Sequence, residues 1–291
     1  MKKISVVVNT LNEEKNLPRA LSSIRDFADE IVVCDMYSED KTLEVAKKFG
    51  AKIFKHKRTN FVEPARNFAI NCAQGDYILV LDADEEIPKS LTKELKRIAK
   101  ENIFDYVLIP RKNIIFGKWI QYSRWWPDYL IRFFKKGKVF WKDKIHSEPI
   151  AKGKEFKLSA IEENAIIHYH YFSLNQYLER MIRYSQIQAE ELVTEGYQFV
   201  WSDLIKKPLG EFLSRFFAGE GYKDGVHGLI LAFLQAFSVF LVYAFVWEKK
   251  GFEKEEISGV FNEIEKSLKE IKFWLVQKEK NPLLRIIKRL L

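Results

Sequence analysis

The chain has 291 residues, of which 47% are hydrophobic and 30% are charged. This apolar fraction is ordinary for a globular protein and excludes disordered and fibrous classes, and the length suits one large domain or two small ones. Two cysteines, Cys34 and Cys72, are too few for a disulfide framework and form no C-x-x-C zinc motif, so we expect a reduced, cytoplasm-facing protein. The first ten residues lack the long apolar region and cleavage site of a secretory signal, and we expect the first strand to begin there.

The net charge of +8 arises in one segment. Residues 111–157 hold 13 Lys and Arg against 4 Asp and Glu, and they include four tryptophans. Such a patch can attract nucleic acid, anionic lipid or a phosphorylated small molecule, or it can be a solvated face. No nucleic-acid-binding motif accompanies it, so we expect no nucleic-acid partner.

The first 110 residues alternate between short apolar runs and helical patterns. The predicted strands are Ile4–Val8, Glu30–Cys34, Ala51–Phe54, Tyr77–Leu81 and Tyr106–Ile109. The predicted helices between them are Leu17–Ile24, Thr42–Phe49, Ala65–Cys72 and Ser90–Ala99. This alternation predicts an α/β fold with a mostly parallel sheet between helices. Ligands then bind beyond the carboxyl ends of the strands, at loops 9–16, 35–41 and 82–88.

The chain changes character after residue 110. Short strands within 111–170 predict a mixed β portion that completes the sheet, and a helical stripe begins at Leu174. We therefore expect a catalytic domain at 1–172 and a helical C-terminal region at 173–291.

Two carboxylates follow the predicted strand Tyr77–Leu81. Asp82 and Asp84 point the same way in extended chain, at the strand end that faces a ligand crevice. Unpaired, they would repel each other, and a divalent cation with oxygen ligands would remove that cost. The alternative is an exposed acidic turn that caps the following helix. Because a fully apolar strand precedes the pair, we predict a metal site.

Asp35 ends the second predicted strand in the same manner. It could accept a hydrogen bond from a nucleotide, or it could cap the helix that begins near Thr42. Neither G-x-G-x-x-G nor G-x-x-x-x-G-K-[ST] occurs, so a dinucleotide fingerprint and a P-loop are both absent.

A set of motifs together resembles those of family 2 inverting glycosyltransferases. The early motifs are V-V-V-N-T-L-N-E-E at 6–14, V-V-C-D-x-x-S-x-D-x-T at 32–42, A-R-N-F-A at 65–69 and L-D-A-D-E at 81–85. Later motifs are similar to the branch that contains the lipopolysaccharide-core β-1,4-glucosyltransferases: W-W-P-D-Y-L-I-R-F-F at 125–134, H-S-E at 146–148, H-Y-H-Y at 168–171 and G-Y-K-D-G-V-H-G at 221–228. The resemblance implies the GT-A fold, a mostly parallel mixed sheet sandwiched by helices.

The resemblance also implies an activity and a set of site residues. The activity is transfer of a sugar from a nucleotide donor, usually UDP-linked, with inversion and with Mg²⁺ or Mn²⁺. By position, the nucleotide would be bound by Thr10, Glu13, Asp35, Arg66 and Asp82, and the metal by Asp82 and Asp84. Where the family commonly has glycines, this chain has Tyr37 and Lys41, so we expect a different turn there.

The acceptor hydroxyl needs a carboxylate base within hydrogen-bond reach. The resemblance places Asp128, which precedes a predicted strand, in that role; the alternatives are a purely structural ion pair of Asp128 with Arg124 or Arg132, and Glu148 as the base.

Among the histidines we favour His146 as a further metal ligand. His168 and His170 could also supply a metal ligand or a diphosphate contact; because they share one face of a strand, they would do so as a pair, and the alternative is a structural role.

A long apolar segment lies in the C-terminal region. Residues 226–247 contain no charged side chain and would form a helix about 33 Å long, close to the roughly 30 Å thickness of a bilayer core. Basic amphipathic segments at 209–217 and 281–291 resemble helices that lie in the headgroup region. We expect peripheral or monotopic attachment to the cytoplasmic face of the inner membrane, in preference to a span or a buried helix.

The leading hypothesis is thus a metal-dependent enzyme that moves a hexose, by resemblance glucose, from a UDP-sugar to a glycolipid or a lipopolysaccharide-core saccharide. One alternative is a membrane-anchored sugar or lipid-phosphate binding protein without catalysis. The other is a nucleotidyltransferase, which would be expected to carry a glycine-rich loop that 9–16 lack.

Overall fold

The computed structural model describes residues 2–58, 63–142 and 149–279. The described residues form two compact units. The first comprises Met1–Ile114 and Trp126–His170, and the second comprises Ile115–Trp125 and Tyr171–Leu291. The expected domain boundary at residue 172 stays a prediction; the observed units differ from it in grouping Ile115–Trp125 with the C-terminal helices.

The predicted elements of the first 110 residues are present, with ends that differ by a few residues. The strands are β1 (Ile4–Thr10), β2 (Glu30–Asp35), β3 (Lys52–Lys55), β4 (Tyr77–Asp82), β5 (Glu85–Glu86), β6 (Tyr106–Ile115), β7 (Lys118–Trp119), β8 (Asp128–Lys135), β9 (Val139–Phe140), β10 (Ile150–Ala151), β11 (Glu155–Lys157) and β12 (Ile166–Tyr171). The helices are α1 (Leu17–Ile24), α2 (Thr42–Lys48), α3 (Glu63–Cys72), α4 (Lys89–Glu101), α5 (Leu174–Thr194), α6 (Asp203–Leu213), α7 (Val226–Lys249) and α8 (Val260–Lys278).

The main sheet is mixed. Its strand order is β3-β2-β1-β4-β8-β6-β12-β5. The strands β3, β2, β1 and β4 are parallel, whereas β8 runs antiparallel to both β4 and β6. The α/β class is therefore confirmed, and the antiparallel part is the mixed β portion expected after residue 110.

The parallel strands are apolar because helices cover both faces of the sheet. All seven residues of β1 are buried. Val6 and Val8 belong to one core cluster together with residues of α1 and α4, while Val7 belongs to the cluster on the other face, with residues of α3. A strand buried on both faces reads as a continuous apolar run, and for that reason the sequence pattern located it.

The register of the parallel strands aligns polar residues at their carboxyl ends. Thr10 pairs with Asp35, and Asn9 pairs with Cys34 on one side and with Asp82 on the other. These residues share one edge of the sheet, where an open α/β sheet binds its ligand.

The second unit is built around α7. Its buried residues Leu231, Val242 and Val246 pack in clusters with residues of α5. Gly228 is required for close packing, because a Cβ at this position would lie 1.8 Å from the carbonyl oxygen of Gly221.

Candidate active site

Asp82, at the end of β4, is held by two arginines. Arg66 of α3 donates to its Oδ1 at 3.2 Å, and Arg132 of β8 donates to its Oδ2. Arg132 is itself only 4% exposed. Burial alone would raise the pKa of Asp82, but the guanidinium of Arg132 and then that of Arg66 outweigh it and hold the pKa well below its usual range. Protein groups thus compensate the charge of Asp82 in this structure, and its expected part in metal binding stays a prediction.

Glu85 is the centre of the charged network. Its side chain is fully buried. Oε1 lies 3.2 Å from Nη2 of Arg132 and 3.3 Å from Nη1 of Arg111, and Oε2 accepts the backbone N–H of Asp82 at 2.9 Å. A buried carboxylate is stable only when such partners replace its hydration. Glu85 thus fixes both arginines and the chain at Asp82.

Asp128, the expected base, lies opposite Arg111 in the pairing of β8 with β6. Its Oδ2 accepts from Nε of Arg111 at 2.9 Å and from Nδ2 of Asn113 at 3.2 Å. Its partner is thus neither Arg124 nor Arg132, because Arg132 binds Asp82 and Glu85, while Arg124 binds Glu211. Both hydrogen bonds use Oδ2, so Oδ1 carries none within the described part of the chain.

Asp84 faces a histidine of β12. Its Oδ2 lies 3.5 Å from Nε2 of His168, whose Nδ1 lies 2.7 Å from Oδ1 of Asn113. Two ligands about 2.0–2.2 Å from a cation stand about 2.8–3.6 Å apart, so this separation fits shared coordination. Carboxylate oxygen and imidazole nitrogen are both ligands that divalent metals accept. Among residues 2–58, 63–142 and 149–279, however, no group of three or more His, Cys, Asp or Glu side chains is arranged to hold a metal ion.

The predicted nucleotide residues Thr10 and Asp35 take part in a turn. Asp35 is fully buried, and it accepts from Oγ1 of Thr10 at 3.2 Å and from the backbone N–H of Ser38 at 3.0 Å. Tyr37 has φ +61°, the left-handed conformation that glycine adopts most easily. The tyrosine therefore adopts a glycine-type conformation here, and the loss of glycine at this position does not remove the positive φ.

Glu13 and Arg66 also have clear local partners. Oε2 of Glu13 accepts from Asn16 at 2.9 Å beside the start of α1. Arg66 lies over the ring of Trp141, 5.2 Å from its centroid, and the neighbouring Asn67 exchanges two hydrogen bonds with the backbone of Trp141. Arg66 is therefore positioned by packing as well as by charge.

Asn9 is a polar residue that the sequence analysis passed over. It is 9% exposed, and among the residues that the structure describes neither its Nδ2 nor its Oδ1 has a hydrogen-bond partner. An unsatisfied buried polar group costs about 1–3 kcal/mol. Since Asn9 adjoins Asp82 in the sheet, a ligand with one donor and one acceptor at this edge would remove that cost.

The structure brings Arg66, Asp82, Asp84 and Asp128 into one network. Three of its central members, Glu85, Arg111 and Asn113, were not predicted, whereas the sequence analysis named the fourth, His168, together with His170. For Glu85 the signal in the sequence was the acidic run Asp82-Ala83-Asp84-Glu85. For Arg111 and Asn113 it was their i, i+2 spacing on one strand. His146 and the alternative base Glu148 lie outside the described residues.

The family comparison assigns this α/β protein to the sugar transferases. The family model described as Glycosyl transferase family 2 matches residues 5–160. The chain therefore belongs to this family, and it has a GT-A-like fold. An uncharacterized glycosyltransferase of Rickettsia typhi is 30% identical over 254 residues, which cover 83% of this chain and 85% of that protein.

Other relatives combine high identity with a shorter match, or a longer match with lower identity. The poly(ribitol-phosphate) beta-N-acetylglucosaminyltransferase TarS of Staphylococcus aureus is 34% identical over 124 residues, which cover 39% of this chain and 22% of TarS. The crystal structure of TarS 1–349 with UDP aligns with 88% of this chain and 95% of that one, at 18% identity and a TM-score of 0.47. The Mycobacterium tuberculosis glucosyl-3-phosphoglycerate synthase complex with Mn²⁺ and UDP-glucose aligns with 40% of this chain and 45% of that one, at 23% identity and a TM-score of 0.33.

Asp82→Asn tests the charge network. Because the pKa of Asp82 is lowered in the folded state, its carboxylate stabilises the fold fully above the ordinary Asp pKa of about 3.9, and the contribution is lost as the pH falls toward the lowered pKa. We expect the variant to lose about 3 kcal/mol of unfolding free energy at pH 7. Below pH 4, its unfolding free energy should depend less on pH than that of the wild type. Urea denaturation from pH 2.5 to 7 measures both; exposed Asp26→Asn is the control, and equal pH profiles for wild type and Asp82→Asn would contradict the assignment.

Proposed function

We propose that this family 2 enzyme is an inverting, metal-dependent glycosyltransferase. It would move a hexose from a UDP-sugar to a lipid-linked or lipopolysaccharide-core saccharide. The single observation that carries this proposal is the 3.5 Å approach of Asp84 and His168 at the ligand-binding edge, beside a carboxylate already neutralised by arginines.

The metal proposal differs in detail from the sequence expectation. Asp84 is retained as a ligand and His168 joins it, whereas Asp82 is engaged by Arg66 and Arg132. When bound, Mg²⁺ or Mn²⁺ would stabilise the charge that develops on the departing diphosphate. His146 stays a candidate third ligand.

The donor nucleotide would bind along the carboxyl ends of β1 and β4. The amide of Asn9, which has no partner within the described part of the chain, can donate one hydrogen bond and accept another, as an edge of a uracil ring requires. Arg66 would bind the diphosphate, and its position beside Asp82 supports this role. Thr10, Asp35 and Glu13 would support this region by ordering its loops.

Asp128 is proposed as the base on the acceptor side. Its Oδ1 would take the proton of the acceptor hydroxyl while the hydroxyl oxygen forms a bond to the anomeric carbon. The bond from that carbon to the diphosphate oxygen breaks in the same step, on the opposite face, so the configuration inverts. Arg111 and Asn113 hold Oδ2 and thereby orient the carboxylate.

Glucose is proposed as the transferred sugar from the motif resemblance at 125–134 and 221–228. TarS, by its name, transfers N-acetylglucosamine, so a donor screen should include both sugars.

We further propose that the second unit attaches the enzyme to the cytoplasmic face of the inner membrane. Within the described ranges, α7 is the one helix long and apolar enough to cross a bilayer, with a mean hydropathy of 2.4 over its most apolar window. Its outer face exposes a stripe of large apolar side chains, which we call the α7 stripe: Val226, Ile230, Phe233, Phe237 and Phe240. This face suits insertion among lipid acyl chains.

The residues around α7 favour a helix that lies in the membrane surface rather than one that spans the bilayer. α5 packs along α7, with Oγ of Ser185 3.2 Å from the carbonyl oxygen of Ser238. α5 also exposes Arg183 and Glu190. A spanning α7 would carry such charges into the hydrocarbon or would have to leave α5, and either is costly.

Metal-dependent donor hydrolysis tests the activity. Incubation with UDP-glucose, UDP-N-acetylglucosamine and other UDP-hexoses should release UDP from at least one donor with Mn²⁺ or Mg²⁺ and not with EDTA. Asp84→Asn should lose at least 100-fold in this rate, whereas exposed Asp26→Asn should not. Wild-type rates in Asp84→Asn would contradict the metal assignment.

Asp128→Asn tests the base. The amide keeps the size of the side chain but cannot accept the proton, so transfer should slow by about 10²–10⁴-fold. UDP affinity, measured by calorimetry, should change little because Asp128 is assigned to the acceptor. If transfer is unchanged and only the melting temperature falls, Asp128 is structural and Glu148 becomes the candidate base.

Vesicle flotation tests the attachment. The full chain should float with phosphatidylethanolamine–phosphatidylglycerol vesicles, and Phe233→Glu/Phe237→Glu should remain in the soluble fraction. Phe140 is an exposed phenylalanine of the first unit, so Phe140→Glu is the matched control and should float. A wild-type chain that stays unbound would rule out the proposal.

A further inference from the structure

Asn113 is a fully buried amide that links two parts of the site. It lies on β6 two residues after Arg111, between Asp128 of β8 and His168 of β12. Neither the family match nor the sequence motifs assign it a role.

The orientation of this amide follows from its partner Asp128. A carboxylate that is paired with Arg111 can only accept hydrogen bonds, so the NH₂ group of Asn113 must face it, at 3.2 Å. The carbonyl oxygen of Asn113 then faces Nδ1 of His168 at 2.7 Å. Since that oxygen has no hydrogen, Nδ1 must supply it.

The tautomer of His168 follows in turn. With the hydrogen on Nδ1, the neutral ring carries its lone pair on Nε2, the atom that lies 3.5 Å from Oδ2 of Asp84. With the ring neutral, these two acceptor atoms repel each other, and a divalent cation bound between them removes that repulsion as the proton of an imidazolium would. A hydrogen bond to the second nitrogen of a metal-binding histidine is also what fixes its tautomer and ring orientation in metal sites.

We propose that Asn113 is the positioning residue that commits His168 to metal binding through Nε2 and links this histidine to the acceptor base Asp128. The inference rests on the proposed function, since it concerns the same metal. Asn113 contacts neither donor nor acceptor in this role. It acts on the metal side through its oxygen and on the base side through its nitrogen.

Two substitutions at this position separate the two contacts. Asn113→Asp keeps an acceptor for Nδ1 but sets a second carboxylate against Asp128. Asn113→Leu is similar in size and removes both contacts. Asn164→Leu, which removes an amide that binds the carbonyl of Ser159, is the matched control.

The first readout is the tautomer of His168 in metal-free protein labelled with ¹⁵N-histidine, by long-range ¹H–¹⁵N NMR at pH 8, where an ordinary imidazole is neutral. His168→Gln assigns the signal. We expect the Nδ1–H form in the wild type, Asn113→Asp and Asn164→Leu, and a mixture or the Nε2–H form in Asn113→Leu. An Nε2–H wild type, or an unchanged tautomer in Asn113→Leu, would overturn the inference.

The second readout is Mn²⁺ affinity in the presence of UDP, followed by electron paramagnetic resonance. Asn113→Leu should bind Mn²⁺ about 10–100-fold more weakly, whereas Asn113→Asp should stay within about threefold of the wild type. Transfer should fall in both. Equal Mn²⁺ affinity in wild type and Asn113→Leu would overturn the inference; if Asn113→Leu does not fold, Asn113→Ala replaces it.

The two proposals fail differently. If the wild type binds no Mn²⁺ with UDP present, the proposed metal-dependent function fails, while the NMR tautomer still decides whether Asn113 orients His168. If the wild type binds Mn²⁺ and the tautomer does not respond to Asn113, the inference fails and the proposed function stands.

Discussion

The buried carboxylate of Glu85, shared between Arg111 and Arg132, is the interaction on which the site depends. Each arginine also binds a second carboxylate, Asp128 in one case and Asp82 in the other. Removal of Glu85 would leave both arginines with one partner each in a desolvated place, which is costly. Glu85 also lies on the short strand β5, which pairs with β12 so that Glu85 is opposite His168. The segment that follows Asp82 is thereby brought next to His168.

This arrangement gives the three aspartates different surroundings. Asp82 is paired with two guanidiniums. Asp84, two residues later, faces an imidazole instead. Asp128 has one oxygen bound by Arg111 and Asn113 and the other without a hydrogen bond among the described residues. Neighbouring groups thus give three identical side chains different electrostatic environments, and the roles proposed for them follow from that difference.

Much of the fold could be predicted from local pattern, but the partners within the site could not. The strands β1, β2 and β4 were found because burial on both faces gives continuous apolar runs, and the register of parallel strands then places Asp35 and Asp82 at one edge. The pairing of Arg111 with Asp128 depends instead on the register of two antiparallel strands that contain an irregularity between Val107 and Leu108. No local pattern encodes that register. Tyr37 likewise shows a positive φ that its residue type gave no reason to expect.

The most direct test of the account is to locate the cation. Crystals of the full chain grown with UDP and Mn²⁺ can be measured at the manganese absorption edge, where anomalous scattering identifies the ion. The account predicts one peak between Oδ2 of Asp84 and Nε2 of His168, about 2.0–2.3 Å from each atom, with Asp82 still bound by Arg66 and Arg132. A structure with UDP bound and manganese held by Asp82, or bound away from His168, would contradict it.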